Sequence, residues 1–187
     1  MKTVILGWGS LVWEQREMPK IKGKWQSGGP IIPIEFSRIS ASRKNILTLV
    51  IDPKNGTEVT TKYAISSRLD LSDAICDLRT REGTVVRYIG FVDLVNGIER
   101  CNVFPKLSNH IGSWAIDNGF DSVVWTDLPP NFKEKSGNEF SINNAVKYLH
   151  SLDEDAAKDA RKYIINTPQE IQTKLRQFLN NNPWLRS

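Results

Sequence analysis

The sequence predicts an α+β fold, and three patterns lead to that class. Short apolar runs rich in β-branched residues alternate with glycine turns up to residue 66, which is typical of strands. A helical period follows over residues 71–78. From residue 127 onward the chain carries helix caps and apolar positions at helical spacing. We therefore expect an α+β core over residues 1–126 and a helical C-terminal extension over 127–187 packed on it, as one domain.

Length and composition agree with one globular domain. The chain has 187 residues, of which 40% are hydrophobic and 25% charged, so it is neither disordered nor collagen-like. Lys and Arg number 25 and Asp and Glu 21, for a net charge of +4. An excess this small does not require a nucleic acid partner, and we expect none.

The cysteines and histidines suggest neither a disulfide framework nor a zinc site. Cys76 and Cys101 are only two thiols in a chain of this length and no C-x-x-C is present, while His110 and His150 are too few and too distant for zinc ligation. No run approaches the ~20 apolar residues of a membrane helix. We therefore expect no membrane partner and a cytoplasmic location.

The predicted strands of the first half follow one another closely. Residues 3–6 form a buried strand that ends in a glycine turn, and residues 31–39, 46–52 and 59–66 are β-rich. Because Asn-Gly tolerates positive φ, Asn55-Gly56 predicts a hairpin between the last two of these strands.

A helix and a second hairpin come next. Leu71, Ala74, Ile75 and Leu78 occupy one helical face, and Gly83 is suited to end the helix in the left-handed conformation. Asn96-Gly97 then predicts another hairpin turn. A helix over 108–118 and a short strand over 122–125 complete the core.

The C-terminal third carries three helix starts. Ser141 is expected to cap a helix over 142–150. Residues 151–154 and 167–170 both fit the capping box, and Pro168 would be the first helical residue of the second one. The apolar stripe of that last helix would be Ile171, Leu175, Phe178 and Leu179.

Two segments could carry chemistry. In Gly7-Trp8-Gly9-Ser10-Leu11, successive backbone N–H groups could hold an anion such as a carboxylate, or the glycines could only satisfy a tight turn. Glu82 lies at a helix C-terminus, where the macrodipole should raise its pKa toward that of a general base. It could equally be a surface glutamate paired with Arg79 or Arg81.

A third candidate residue is Arg38. Together with Arg43 it lies in or beside a predicted strand. An arginine there could bind a substrate carboxylate through two hydrogen bonds, or it could belong to a solvated strand face.

In this order, the segments resemble the γ-glutamylcyclotransferase-like superfamily over residues 3–104. The family turn Y-G-S-L is matched by Trp8-Gly9-Ser10-Leu11, with tryptophan in place of tyrosine, and Val12-Trp13 is similar to the ChaC-type variant. Further matches are the arginine-containing strand at Phe36-Ser37-Arg38, the pair Tyr63-Ala64, and the helix motif L-x-x-R-E at Leu78-Arg79-Thr80-Arg81-Glu82. The C-terminal extension departs from the family, so this would be a divergent bacterial branch.

The resemblance implies a small mixed β-barrel with flanking helices and a pocket between the turn and Glu82. It implies an enzyme that cyclises a γ-glutamyl amide or peptide to 5-oxoproline and releases the amine, without a metal or a cofactor. The residues implied are Glu82 as acid/base, Trp8, Gly9, Ser10 and Leu11 as the substrate cradle, and Arg38 as a carboxylate partner.

An alternative from another class is a non-catalytic module on the same fold. It would bind a small ligand or a partner, with the helical extension as its interaction surface. Trp8 distinguishes the two hypotheses, because an indole that fills the pocket would favour the binding module. The leaving group and the oligomeric state stay open at this point.

Overall fold

A computed structural model describes residues 1–14 and 19–186. The strands are β1 (Thr3–Gly7), β2 (Ile21–Ser40), β3 (Ile46–Ile51), β4 (Thr57–Ser66), β5 (Ile89–Asp93), β6 (Ile98–Arg100) and β7 (Ser122–Thr126). The helices are α1 (Ser10–Trp13), α2 (Leu71–Glu82), α3 (Leu107–Asp117), α4 (Phe132–Ser136), α5 (Ile142–His150), α6 (Glu154–Asn166) and α7 (Lys174–Asn180). The predicted α+β class is confirmed.

The strands form one mixed sheet in the order β3-β2-β4-β1-β7-β5-β6. Strands β1 and β7 are parallel, and β1 is antiparallel to β4. Within the described residues the edge strands β3 and β6 do not pair with each other, so the sheet is open. The closed barrel implied by the resemblance is therefore wrong, because closure requires hydrogen bonds between the two edges.

The chain divides into two compact units. The first joins Met1–Ile32 to Thr60–Leu128, and the second joins Pro33–Val59 to Pro129–Ser187. The predicted organisation as a core over 1–126 with a helical extension stays a prediction. Over residues 1–14 and 19–186, no helix is both long and apolar enough to cross a membrane.

In the first unit, α2 and α3 cover opposite faces of the sheet. Phe91 packs into the apolar cluster under α2, whereas its neighbour Val92 lies against Gly112 of α3. Successive side chains of a strand point to opposite faces, so the two helices are separated by the sheet. The cluster under α2 is made of Ile5, Leu11, Ala74, Leu78, Ile89 and Val124.

The hairpin predicted at Asn55-Gly56 is wrong. Strands β3 and β4 are not neighbours, because β2 lies between them in the sheet. The turn over residues 52–56 instead crosses β2, with Asp52 N–H donating to Pro33 O at 2.9 Å. A Cβ on Gly56 would lie 2.6 Å from the carbonyl carbon of Pro33, so this close crossing explains the glycine.

Other local predictions are confirmed. Gly83 ends α2 at φ 59°, and Gly97 adopts φ 66° in the turn that joins the antiparallel strands β5 and β6. Ser141 caps α5, with its Oγ accepting from Asn144 N–H at 3.1 Å.

The two predicted capping boxes are wrong. Asp153, rather than Ser151, caps α6, and Thr173, rather than Thr167, caps α7. The guanidinium of Arg176 donates to three carbonyls of the segment before α7, those of Thr167, Pro168 and Ile171, and holds it outside the helix. Of the predicted apolar stripe, Phe178 is 46% exposed, because the buried face of α7 is formed by Leu175, Arg176 and Leu179.

Candidate functional site

The glycine turn lies between β1 and the short helix α1. Gly9 is the N-cap of α1, at φ −120° and ψ −145°. Trp8, Ser10 and Leu11 are all buried, with 5%, 7% and 5% of their surface exposed. The four predicted cradle residues are therefore all buried in the first unit.

The first glycine of the motif has a packing reason. A Cβ built on Gly7 would lie 2.7 Å from Cζ3 of Trp25, so the indole of β2 lies directly against the backbone here. Trp25 also packs against the apolar cluster that contains Leu11. The glycine is required by this close approach, whatever the turn binds.

Glu82 is the last residue of α2, and Gly83 follows it as a left-handed cap. Its side chain is 19% exposed, and Oε1 lies 4.0 Å from Nη1 of Arg81. Pairing with Arg81 was one of the two interpretations from sequence, and the contact is present. The expected rise in the pKa of Glu82 stays a prediction.

Arg81 connects the end of α2 to the glycine turn. Its Nη2 donates to the carbonyl oxygens of Ser10 at 3.2 Å and Glu14 at 3.3 Å. The same Nη2 lies 3.5 Å from Oε2 of Glu14. A cation at the C-terminal end of a helix interacts favourably with the carbonyl groups that point toward it.

An apolar contact supports this link. Leu11 from the turn and Leu78 from α2 belong to the same buried cluster, and Leu78 lies one helical turn before Glu82. The turn and the L-x-x-R-E helix, identified separately in the sequence, are therefore held together by a polar and an apolar contact within the first unit.

The role of Arg81, whose side chain is only 3% exposed, was not predicted from the sequence. A signal was present, because Ala74, Leu78 and Arg81 follow the i, i+4, i+7 spacing of one helical face. Its Nε–H is buried and has no acceptor among the described residues. Glu14 was missed as well, and no pattern in the sequence indicates it.

Arg38 belongs to the second unit. Its Nη1 donates to Pro129 O at 2.6 Å. Its backbone carbonyl accepts from the hydroxyl of Thr48 on β3 at 3.2 Å. The contacts of Arg38 described here lie within the second unit, and its role as a carboxylate partner stays a prediction.

The described residues contain no cluster of metal ligands, and Cys101 is a weakly reactive thiol. Over the described ranges, no group of three His, Cys, Asp or Glu side chains is arranged to hold a metal ion. The Cys101 thiol donates to Phe104 O at 3.0 Å. Burial and the nearby carboxylate of Asp127 raise the pKa of Cys101 to about 11, so this thiol is a poor nucleophile.

Comparisons with protein-family models, with curated proteins and with solved structures found no match to this chain. The likeness to the γ-glutamylcyclotransferase-like superfamily therefore rests on the short motifs and on their spacing.

Proposed function

We propose that the chain is a γ-glutamylcyclotransferase-like enzyme that cyclises a γ-glutamyl amide or peptide to 5-oxoproline. The observation that carries this proposal is the bond from Arg81 to Ser10 O at 3.2 Å. It joins the two segments on which the resemblance depends, although 71 positions separate them in the chain. Membership of that superfamily, without the closed barrel, is part of the same proposal.

In the proposed reaction, Glu82 takes a proton from the α-ammonium of the substrate. The freed amine attacks the γ-carbonyl of the same molecule, and a carbon–nitrogen bond closes the five-membered ring. The bond from this carbon to the departing nitrogen then breaks. Overall the ring nitrogen loses two protons and the departing nitrogen gains two, so the amine leaves as an ammonium and the reaction balances.

The chain contributes mainly orientation to this reaction. Because nucleophile and carbonyl belong to one molecule, holding a single conformer supplies much of the acceleration. The backbone N–H groups of the Gly9-Ser10-Leu11 turn would hold the γ-glutamyl group and stabilise the developing oxyanion. Glu82, 19% exposed, is reachable by a substrate group.

The test is release of 5-oxoproline from a panel of γ-glutamyl amides and peptides. We expect turnover by the wild type and a loss of roughly 10²–10⁴-fold in Glu82→Gln, the usual size of a general acid–base contribution. Glu134→Gln is the matched control, because this glutamate is exposed on α4 and pairs only weakly with Lys135 at 3.9 Å. Circular dichroism should show all three proteins folded.

One observation favours the non-catalytic alternative. Trp8 replaces the tyrosine of the family motif, so the turn lacks a hydroxyl group at this position. The indole is also buried, with 5% of its surface exposed. A folded wild type that releases no 5-oxoproline from any compound, yet binds some of them, would establish the binding module. Turnover that survives in Glu82→Gln would remove Glu82 from the mechanism.

A further inference from the structure

Asparagine is followed by glycine at three places in the chain, at positions 55, 96 and 118. In such a pair the backbone nitrogen of the glycine can attack the side-chain amide of the asparagine, because glycine has no Cβ to hinder the approach. The pairs lie in the turn before β4, in the turn between β5 and β6, and at the end of α3. One chemistry can therefore be compared in three surroundings.

The attacking nitrogen is engaged in two of the three pairs. The N–H of Gly56 donates to Asp52 O at 2.8 Å, and the N–H of Gly119 donates to Ile116 O at 3.1 Å. The N–H of Gly97 has no acceptor among the described residues. A nitrogen in this position has no hydrogen bond to lose before it attacks.

Asn118 is the best structural match to Asn96. Both asparagines are exposed, and the glycines that follow them adopt φ values of 67° and 66°. Asn55 differs, because it is only partly exposed and its turn packs against β2. Comparison with Asn118 therefore isolates the hydrogen bond of the glycine N–H, since exposure and glycine φ are alike.

Asn96 is bonded to a buried carboxylate in an edge hairpin. Its Nδ2 donates to Oδ2 of Asp93 at 2.8 Å, and its backbone N–H donates to Oδ1 at 3.1 Å. Asp93 is only 4% exposed. The strand that follows, β6, has three residues and lies at the edge of the sheet. Local opening of such a hairpin has a low free-energy cost, so Asn96 can leave Asp93 and reach the geometry of attack.

We propose that Asn96 is a self-modification site, at which spontaneous deamidation is faster than at the other two pairs and loosens the β5–β6 hairpin. The N of Gly97 gives up its proton and bonds to Cγ of Asn96, while the bond from Cγ to Nδ2 breaks and ammonia leaves. Water then opens the cyclic imide at Cγ, which gives aspartate, or at the backbone carbonyl carbon, which gives isoaspartate. One asparagine and one water thus become one acidic residue and one ammonia.

Deamidation changes the group that faces Asp93. The product has a carboxylate in place of the amide that donated to Asp93, so a donor is lost and two negative charges lie side by side. Isoaspartate also adds a methylene to the backbone of the turn. The hairpin is therefore weakened as the protein ages, whatever the protein binds or catalyses.

Peptide mass spectrometry compares the three sites in one sample. The wild type is incubated in mildly alkaline buffer, once native and once in guanidinium chloride, and each Asn-Gly peptide is followed by its gain of one mass unit. Separation of the aspartate and isoaspartate forms identifies the products. Asn96→Gln is a further control, because glutamine keeps the amide but forms a larger ring more slowly, so the gain at this peptide should disappear.

In the native protein we expect Asn96 to react at least roughly tenfold faster than Asn118 and Asn55, a difference that one hydrogen bond is enough to produce. In guanidinium chloride the three rates should be similar, because the turns that distinguish them are unfolded. A native Asn96 that reacts no faster than Asn118 would overturn the proposal. So would an excess at Asn96 that persists in guanidinium chloride, because neighbouring residues in the sequence would then explain it.

The effect on the hairpin is tested with Asn96→Asp, which carries the aspartate product from the start. We expect amide hydrogen exchange over Ile98–Arg100 to be faster in this variant than in the wild type. Asn118→Asp is the matched control and should leave exchange in this strand unchanged. Exchange at the wild-type rate in folded Asn96→Asp would overturn the link between deamidation and the hairpin.

Discussion

The side-chain amide of Asn131 makes two hydrogen bonds to the backbone of Ile39. Its Oδ1 accepts from the N–H at 2.7 Å, and its Nδ2 donates to the carbonyl at 3.1 Å. Ile39 is 5% exposed, so water does not replace these bonds. A side chain here takes the place of a neighbouring strand on β2.

Loss of this amide should therefore destabilise the second unit. Asn131→Ala leaves a buried donor and a buried acceptor unpaired, and we expect the free energy of unfolding to fall by about 2–3 kcal/mol. Asn180→Ala, at an exposed position in α7, should change it by less than about 0.5 kcal/mol. Urea unfolding monitored by circular dichroism measures both. If Asn131→Ala changed the unfolding free energy no more than Asn180→Ala does, the amide of Asn131 would not contribute to stability.

Two arginines of α2 offer a matched comparison. Arg81→Met removes the donor for the carbonyls of Ser10 and Glu14 in a buried site, and we expect a loss of about 2–4 kcal/mol in unfolding free energy. Arg79→Met should cost less than about 0.5 kcal/mol, because Arg79 is exposed and, among the described residues, its side chain bonds only to Thr80, at 3.4 Å. Hydrogen exchange at Leu11–Trp13 amides should accelerate in the first variant alone. Unchanged exchange there would contradict a role for Arg81 in holding the turn.

Two glycines should respond to alanine with opposite signs. A Cβ on Gly90 would lie 2.3 Å from Cε2 of the fully buried Trp125, so Gly90→Ala forces the indole to move and should cost about 1–3 kcal/mol. Gly112 lies inside α3, where the nearest atom would be 3.6 Å away. Gly112→Ala should stabilise by about 0.5–1 kcal/mol, because alanine is the better helix former. Thermal unfolding reports the two signs, and destabilisation by both would refute the packing argument.

Glu35 should make stability depend on pH. It is fully buried, and burial raises its pKa above 4.5, although hydrogen bonds from Phe36, Thr173 and Leu175 oppose the rise. A carboxyl group whose pKa is higher in the folded state contributes most below its unfolded pKa, and that contribution is lost as pH rises through the folded pKa. We therefore expect the unfolding free energy of the wild type, relative to Glu35→Gln, to fall as pH increases from about 4 to 8. A difference that stays constant over this range would contradict the prediction.

The two cysteines should differ in reactivity. Cys76 is exposed, whereas burial and the charge of Asp127 raise the pKa of Cys101 to about 11. At pH 8 only about a thousandth of the Cys101 thiol would be thiolate, so iodoacetamide should modify Cys76 first. Asp127→Asn should accelerate modification of Cys101, because a negative charge is removed. Mass spectrometry of the alkylated protein measures the rates at Cys76 and Cys101. Faster modification of Cys101 than of Cys76 in the wild type would contradict the prediction.

Local chemistry was predictable from the sequence where one residue decides the structure. Gly83 and Gly97 adopt the positive φ that their positions required, and Ser141 caps its helix. Each of these depends on neighbours within a few positions. Segments with a tertiary partner were mispredicted, such as the start of α7, which Arg176 sets by binding three carbonyls upstream.

The candidate site was predictable only in part, for the same reason. The turn and Glu82 were recognisable as motifs, but the burial of Arg81 depends on Ser10 and Glu14, which lie about 70 residues away in the chain. Glu14 has no motif, and its importance follows only from its distance to the guanidinium. The helical spacing of Ala74, Leu78 and Arg81 indicates that Arg81 is buried, but no periodicity identifies its distant partners.

The crossing of β2 by the turn over residues 52–56 also bears on how the chain folds. An ordinary β-turn of this length allows its two strands to form a hairpin early in folding, as a local nucleus. Here β3 and β4 do not pair with each other, because β2 lies between them in the sheet. We therefore expect distant pairing to contribute to the rate-limiting step, so that folding is slower than the local turn suggests. Strengthening the turn at Asn55 and Gly56 would slow unfolding and leave the folding rate almost unchanged.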